Sequence, residues 1–256
     1  MDSNITLKNV HLDFPLYDVA SRSFRNEIKG LGKKIGFTRQ ETNDEGRKII
    51  QGLKNVNLQI NHGEKVAVIG PNGSGKTTLL RLIAGIYHPT SGEIKCIGNI
   101  NSMLDIGFGL ESDATGYENI LLSNILRGMR KDEIKSKLKE VAEFTGLNDF
   151  LDLPLRIYSE GMKARLAFSS SVCVVPDIFL IDEFFSTGDM EFSKRSKDKL
   201  LELMGSSSIL IFASHDFNAL KSICNKAIYI TNGEVQFFGN IDDALEIYKN
   251  SQLQDG

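Results

Sequence analysis

The chain is short of cysteine, has no long apolar run and carries no strong charge of either sign. Each absence excludes something. Cys96, Cys173 and Cys224 are too few and too scattered for a disulfide framework or a zinc site, so they read as reduced, buried thiols of a cytoplasmic protein. No stretch approaches the roughly 18–20 consecutive apolar residues that cross a bilayer. The longest apolar runs, such as Phe179-Leu180-Ile181 and Ile209 to Ala213, have strand length. Met1-Asp2-Ser3-Asn4 lacks the basic-then-apolar pattern of a secretory signal. A net charge of −3 argues against wholesale nucleic-acid binding. What remains is an ordinary globular composition, 41% apolar and 25% charged, with a length of 256 residues that suits one large domain.

Three zones follow one another. Ile5 to Leu12 nearly alternates apolar and polar residues, as a half-buried strand does. Residues 18–48 are polar and Gly-containing, and 22–39 hold six Lys or Arg against one acid, Glu27. Beyond them, strand and helix patterns interleave. Leu53–Ile60 alternates, Asn61–Glu64 is a turn, and Lys65–Ile69 reads as a buried strand. Residues 131–145 are rich in Lys and Glu, with Ile134, Leu138, Val141 and Ala142 on one helical face. The runs 177–182 and 208–213 suit strands covered on both faces. Such interleaving predicts an α/β core built on a mainly parallel sheet. A terminal helix is predicted over 241–250, and the polar residues 251–256 are expected to fray.

Gly70-Pro71-Asn72-Gly73-Ser74-Gly75-Lys76-Thr77, followed by Thr78, fits the phosphate-loop pattern G-x-x-x-x-G-K-[ST]. The glycines let backbone N–H groups turn inward around phosphates, and the helix that follows aims its N-terminal dipole at the same anion. Lys76 supplies charge to the β- and γ-phosphates, and the Thr77 hydroxyl suits Mg2+. Asp182 ends an apolar run, at the carboxyl end of a strand where ligands bind in such sheets, and suits Mg2+ as well. Glu183 follows it, placed to orient or deprotonate a water. His215 ends a further strand and can reach a γ-phosphate.

These features together resemble the ATP-binding cassette (ABC) ATPases. The resemblance places the family's signature motif at Tyr158-Ser159-Glu160-Gly161-Met162, opening a helix predicted from Met162 to about Val174. The usual form is L-S-G-G-Q; Ser159 and Gly161 match it, and Y-S-x-G-M is similar to cassettes that export bacterial surface polysaccharides. Ser186 to Asp189 resembles the D-loop, with Asp189 matching. Two positions depart. No Gln stands near Asp105-Ile106, where the family places a Mg2+ and transporter contact. Ile49, Ile50 and Gln51 stand where an aromatic ring usually stacks on adenine.

By this resemblance the fold is an α/β P-loop NTPase with an N-terminal antiparallel β-subdomain and a helical subdomain at about 110–172. Residues 1–250 form a single nucleotide-binding domain, with no C-terminal carbohydrate-binding domain. ATP and Mg2+ are the implied cofactors. Lys76 and the loop hold the phosphates, Thr77 and Asp182 hold Mg2+, Glu183 and His215 serve catalysis, and Ser159 to Met162 complete the opposite site in a homodimer. The implied function is ATP hydrolysis that drives export of a lipid-linked surface polysaccharide through membrane permease subunits, at the cytoplasmic face of the inner membrane. The glycan is handled by the permease, and no nucleic acid is involved. The alternatives are the ATPase of another exporter and a non-transport cassette ATPase. Phe24, Ile28, Leu31 and Ile35 recur at helical spacing with the basic residues largely off that face, which suits a membrane surface or a partner; the resemblance to polysaccharide exporters implies that Arg22 to Phe37 forms a helix at the cytoplasmic membrane boundary beside the permease.

Overall fold

A computed structural model describes residues 2–15, 40–42, 48–182 and 190–254. The expected basic helix of 22–37, Glu183 and the segment 186–189 lie outside the described residues. In chain order the strands are β1 Asn4–Pro15, β2 Gln40–Thr42, β3 Lys48–Asn61, β4 Lys65–Ile69, β5 Ser91–Ile97, β6 Ile100–Ser102, β7 Ile178–Asp182, β8 Ile209–Ala213, β9 Lys226–Thr231 and β10 Glu234–Asn240. The α-helices are α1 Lys76–Ile83, α2 Gly116–Leu126, α3 Lys131–Thr145, α4 Glu160–Ser171, α5 Met190–Ser206, α6 Phe217–Ile223 and α7 Ile241–Gln254. The chain divides into two compact units, one of residues 1–98, 181–183 and 208–256, the other of 99–180 and 184–207. The second is wider than the helical subdomain expected at about 110–172, because β6, most of β7 and α5 belong to it.

The first unit carries two sheets. In the antiparallel one, β3 pairs with both β2 and β1, and β1 pairs on its other side with β5. Ile5, Leu7, Val10 and Leu12 face Ile60, Leu58, Val56 and Leu53, and all eight are buried. The alternation slips at Asn9 and Asn55, whose φ values of +48° and +44° are left-handed. Asn tolerates that conformation because its amide bonds locally; here Asn57 accepts from the Asn9 N–H at 2.9 Å and donates to the Asn55 carbonyl at 3.0 Å. The other sheet sets β9, β4 and β8 parallel, with β10 antiparallel on β9. Val66–Ile69, Ile209–Ala213 and Ala227–Ile230 are buried, as parallel strands covered on both faces should be.

Helix α7 runs to Gln254, four residues past the expected end, so 251–254 is helix rather than frayed tail. The Ser251 hydroxyl donates to the Tyr248 carbonyl and meets the Tyr229 hydroxyl at 3.0 Å, which holds the last turn. Of the cysteines, Cys224 is buried while Cys96 and Cys173 are only half-buried. Burial pushes the Cys224 thiol up to about 12, partly opposed by Lys65.

In the second unit, α2, α3, α4 and the 3-10 turns at Asn148–Asp152 and Leu155–Ile157 enclose Ile120, Val141, Leu147, Leu151, Leu155, Tyr158 and Leu166. Beside this cluster Phe168 meets the rings of Phe144 and Phe192 at 6.2 and 5.9 Å. Arg195 and Arg165 lie over Phe144 and Phe192, a cation–π arrangement. Strands β6 and β7 run parallel here.

Phe168 is fully buried, and removing its ring leaves a cavity. Phe168→Ala is expected to cost about 3–5 kcal/mol. Leu253→Ala, at a side chain 81% exposed, should stay within about 0.5 kcal/mol of wild type. Urea denaturation of the two variants checks the contrast.

Candidate functional site

Strand β4 delivers the chain to Gly70, and α1 begins at Lys76. Between them the loop has a course that side chains would block. Gly70 has φ +152°, and a Cβ there would lie 2.1 Å from the Ile230 carbonyl oxygen. The loop is then tied from within and from without. The Ser74 N–H donates to the Pro71 carbonyl at 3.2 Å, and the Gly233 N–H, in the β9–β10 turn, donates to the Ser74 carbonyl at 2.8 Å. Gly233 also accepts from the Lys54 N–H of β3 at 2.8 Å. Sequence reasoning missed this turn. Its only local sign is Asn232-Gly233, a hairpin pair.

Lys76 reaches back over the loop. Its Nζ donates to the carbonyls of Gly70 and Pro71 at 2.8 and 2.9 Å. The Thr77 hydroxyl donates to Asp182 Oδ2 at 2.6 Å across 105 residues of sequence, so β7 and the start of α1 meet where the two side chains were expected to share a metal. Ser74 Oγ is buried with no hydrogen-bond partner. Thr78, also on the first turn of α1, is buried. A side chain at Gly52 would strike Phe14 Cε2 at 2.7 Å and the Thr78 methyl at 3.2 Å, so the Phe14 ring stands beside the loop helix. Ile49, one of the residues at the expected adenine position, is buried within β3. Phe14 was not singled out from sequence because it belongs to β1, where it pairs with Ile50. His215 lies exposed, two residues past β8.

The signature residues belong to the second unit. Ser159 caps α4, its Oγ accepting from the Met162 N–H at 3.2 Å. The helix therefore starts at Glu160 rather than Met162, and it ends at Ser171 rather than Val174. Val174-Val175-Pro176 follows, and a residue before proline is steered out of helical conformation. Glu160 pairs with Lys163 at 2.8 Å, and Gly161 lies in the first turn. In the segment that lacks the Gln, Arg127 donates to the Ile106 carbonyl at 3.2 Å and to the Ser123 carbonyl at 3.0 Å. Burial lowers the Arg127 pKa, with Cys173 and Asp105 opposing that shift.

Comparison with known proteins gives one consistent picture. The sequence pattern of a family described as "ABC transporter" matches residues 53–186. The chain is 38% identical to the O-antigen export system ATP-binding protein RfbE of Yersinia enterocolitica, covering 90% of this chain and 95% of that one. It is 34% identical to the teichoic acids export ATP-binding protein TagH of Shouchella clausii, over 87% of this chain and 64% of the relative. Among solved structures, an ATP-binding cassette in a dimeric post-hydrolysis state with ADP and phosphate matches with a TM-score of 0.63. That match has 23% identity and covers 93% of this chain and 98% of the other, a likeness of fold.

Two glycines separate steric from conformational cost. Gly70→Ala is expected to lose more than about 3 kcal/mol, since the clash is with backbone. At Gly63, φ is also positive at +85° but nothing lies within 4 Å of an added Cβ, so Gly63→Ala should cost only about 1–2 kcal/mol of backbone strain. Chemical denaturation of both variants tests the difference.

Proposed function

Since the chain belongs to the ABC transporter family, we propose that it is the ATP-hydrolysing subunit of an exporter of lipid-linked surface polysaccharide, of the O-antigen or teichoic acid kind. The observation that carries the reading is the Thr77–Asp182 hydrogen bond under the Lys76-covered loop. It supports a site that takes phosphates on one side and a hard cation on the other. The names of the O-antigen and teichoic acid relatives support the substrate class.

Lys76 and the amides of Gly70 to Thr78 would hold the phosphates. An anionic oxygen is a stronger acceptor for Nζ than the two carbonyls that Lys76 now meets. The Thr77 hydroxyl and Asp182 carboxylate are the oxygen donors that Mg2+ takes, and buried Ser74 Oγ leaves a further polar atom facing the loop. Among the described residues no group of three or more His, Cys, Asp or Glu could hold a metal. When bound, Mg2+ neutralises charge on the phosphate oxygens. Glu183, next to Asp182, would orient the attacking water and accept its proton, and His215 would hold the γ-phosphate. Phe14, beside Thr78, offers the flat surface for adenine.

In a homodimer, Ser159, Glu160, Gly161 and Met162 would bring the N-terminus of α4 to the nucleotide held by the partner copy, with Asp189 linking the two sites. Helix α2 supports a permease partner. Its buried side carries Asn119, Ser123 and Asn124 beside Ile120, while Leu122, Ile125 and Leu126 are exposed. Gly109, which follows exposed Phe108, packs against Leu126 and Ser123. Contiguous exposed apolar surface marks a contact site. Among the described residues no helix is long and apolar enough to cross a membrane. The reading places the chain on the cytoplasmic face of the inner membrane, bound to a permease that handles the glycan. The basic segment 22–39 would face the anionic lipid surface.

Two measurements test this. Phosphate release by the purified chain should require Mg2+ and stop with EDTA. Glu183→Gln should slow it on the order of 10²–10⁴-fold while ATP still binds; near-normal turnover in that variant sinks the assignment. Second, Ile125→Asp with Leu126→Asp should abolish co-purification with the permease and leave phosphate release by the isolated chain within about twofold, as surface changes do. Retained co-purification would remove α2 from the interface.

A further inference from the structure

The lead-in to the signature helix is bound to the lead-in to α2. Thr115 and Pro154 form an antiparallel bridge. The Leu155 N–H donates to the Ala114 carbonyl at 3.0 Å, and the Arg156 N–H to the Ser112 carbonyl at 2.9 Å. Arg156 also pairs with Asp113 at 2.6 Å. Both helices start from side-chain caps at this junction. Thr115 and Glu118 form a reciprocal capping box on α2, and Ser159 caps α4.

Tyr158 fills the junction. It is 4% exposed, its hydroxyl donates to the Phe150 carbonyl at 2.5 Å, and its ring sits edge-on to Phe150 at 6.4 Å. Burial, helped by Asp152, raises the phenol pKa, so the hydroxyl remains a donor. On the other side is Gly116, the first residue of α2. A Cβ there would come within 2.5 Å of the Tyr158 hydroxyl, 2.8 Å of Leu151 Cδ2 and 3.0 Å of Leu151 Cα. Only a residue without a side chain lets α2 start so close to the tyrosine. The next residue along the chain is Ser159.

Resting on the reading that Ser159 meets the nucleotide of a partner copy, we propose that Tyr158 and Gly116 are positioning residues for Ser159, together clamping the start of the signature helix to the start of α2. A Leu at position 158, the commoner signature residue in the resemblance drawn above, could fill the cluster but could not reach the Phe150 carbonyl with a donor. The hydroxyl therefore adds direction to what would otherwise be apolar packing.

The test uses the purified full-length chain, with Ser159→Ala as reference, and measures kcat, KM and the Kd of a fluorescent ATP analogue. Tyr158→Phe keeps the ring in place. It should lower kcat about fivefold, the scale of one buried hydrogen bond, with KM and analogue Kd close to wild type and a melting temperature about 2–4 °C lower. Gly116→Ala should lose more. The double variant Gly116→Ala/Tyr158→Phe should recover part of that loss, because the nearest clash is with the hydroxyl it removes. If Ser159→Ala is impaired while Tyr158→Phe turns over normally, the clamp is wrong and the trans-acting serine stands. If Ser159→Ala itself turns over normally, the reading beneath falls and the clamp with it. A double variant no better than Gly116→Ala removes Gly116 from the device.

Discussion

The carbonyl of Ile230 leaves no room for a side chain at Gly70, and much of the site's geometry follows from that contact. β4 and β9 are in parallel register, Ile69 opposite Tyr229, so the strand next to the loop sets where the loop must leave the sheet. The same strand then turns at Asn232-Gly233 and takes hold of the loop again at the Ser74 carbonyl. Lys76 closes the circuit by reaching back to Gly70 and Pro71. A loop held at its beginning, its middle and its end keeps its amides oriented before a ligand arrives, so little ordering has to be provided on binding.

That fixed loop also explains the second half of the site. Thr77 follows Lys76 on the first turn of α1, and its hydroxyl direction is set by the helix. Asp182 ends a strand whose preceding residues, Ile178 to Ile181, are fully buried. Buried flanks leave the strand end no latitude, and the carboxylate meets the hydroxyl at 2.6 Å. Lys76 Nζ meets two backbone carbonyls and Asp182 meets the Thr77 hydroxyl, and hydrogen bonds to charged groups are stronger than those to neutral ones.

Much of this was legible in the sequence where the chemistry is contiguous. The span of β4 is the one predicted, as is that of α3 at 131–145, because five apolar-rich residues before a glycine loop and a face of Ile134, Leu138, Val141 and Ala142 each carry their own period. The phosphate loop is eight consecutive residues. What could not be read depends on partners far apart in the chain. Gly233 matters through Ser74 and Lys54, and Phe14 through Gly52 and Thr78. Tyr158 was read as part of a signature, but its hydrogen bond to Phe150 and its contact with Gly116 exist only once three segments have met. The polar stretch 251–254 was expected to fray for a similar reason: Ser251 is held by Tyr229, on a strand 22 residues earlier.

The interface between α2 and α4 follows a different rule from the apolar strands. Ser123 and Ser170 share a hydrogen bond at 2.7 Å, and Asn124 donates to the same Ser170 hydroxyl at 3.0 Å. Asn119 at the other end of α2 bonds the Glu111, Ala114 and Thr115 carbonyls. Apolar side chains can slide past one another at small cost, whereas a buried hydrogen bond lost in sliding leaves both groups unsatisfied. The bonds to Ser170 fix the C-terminal ends of the two helices in register, and the bridged lead-ins hold their capped N-termini. The apolar residues displaced to the outer face of α2, Leu122, Ile125 and Leu126, thus stand on the same stiff piece of structure as Ser159.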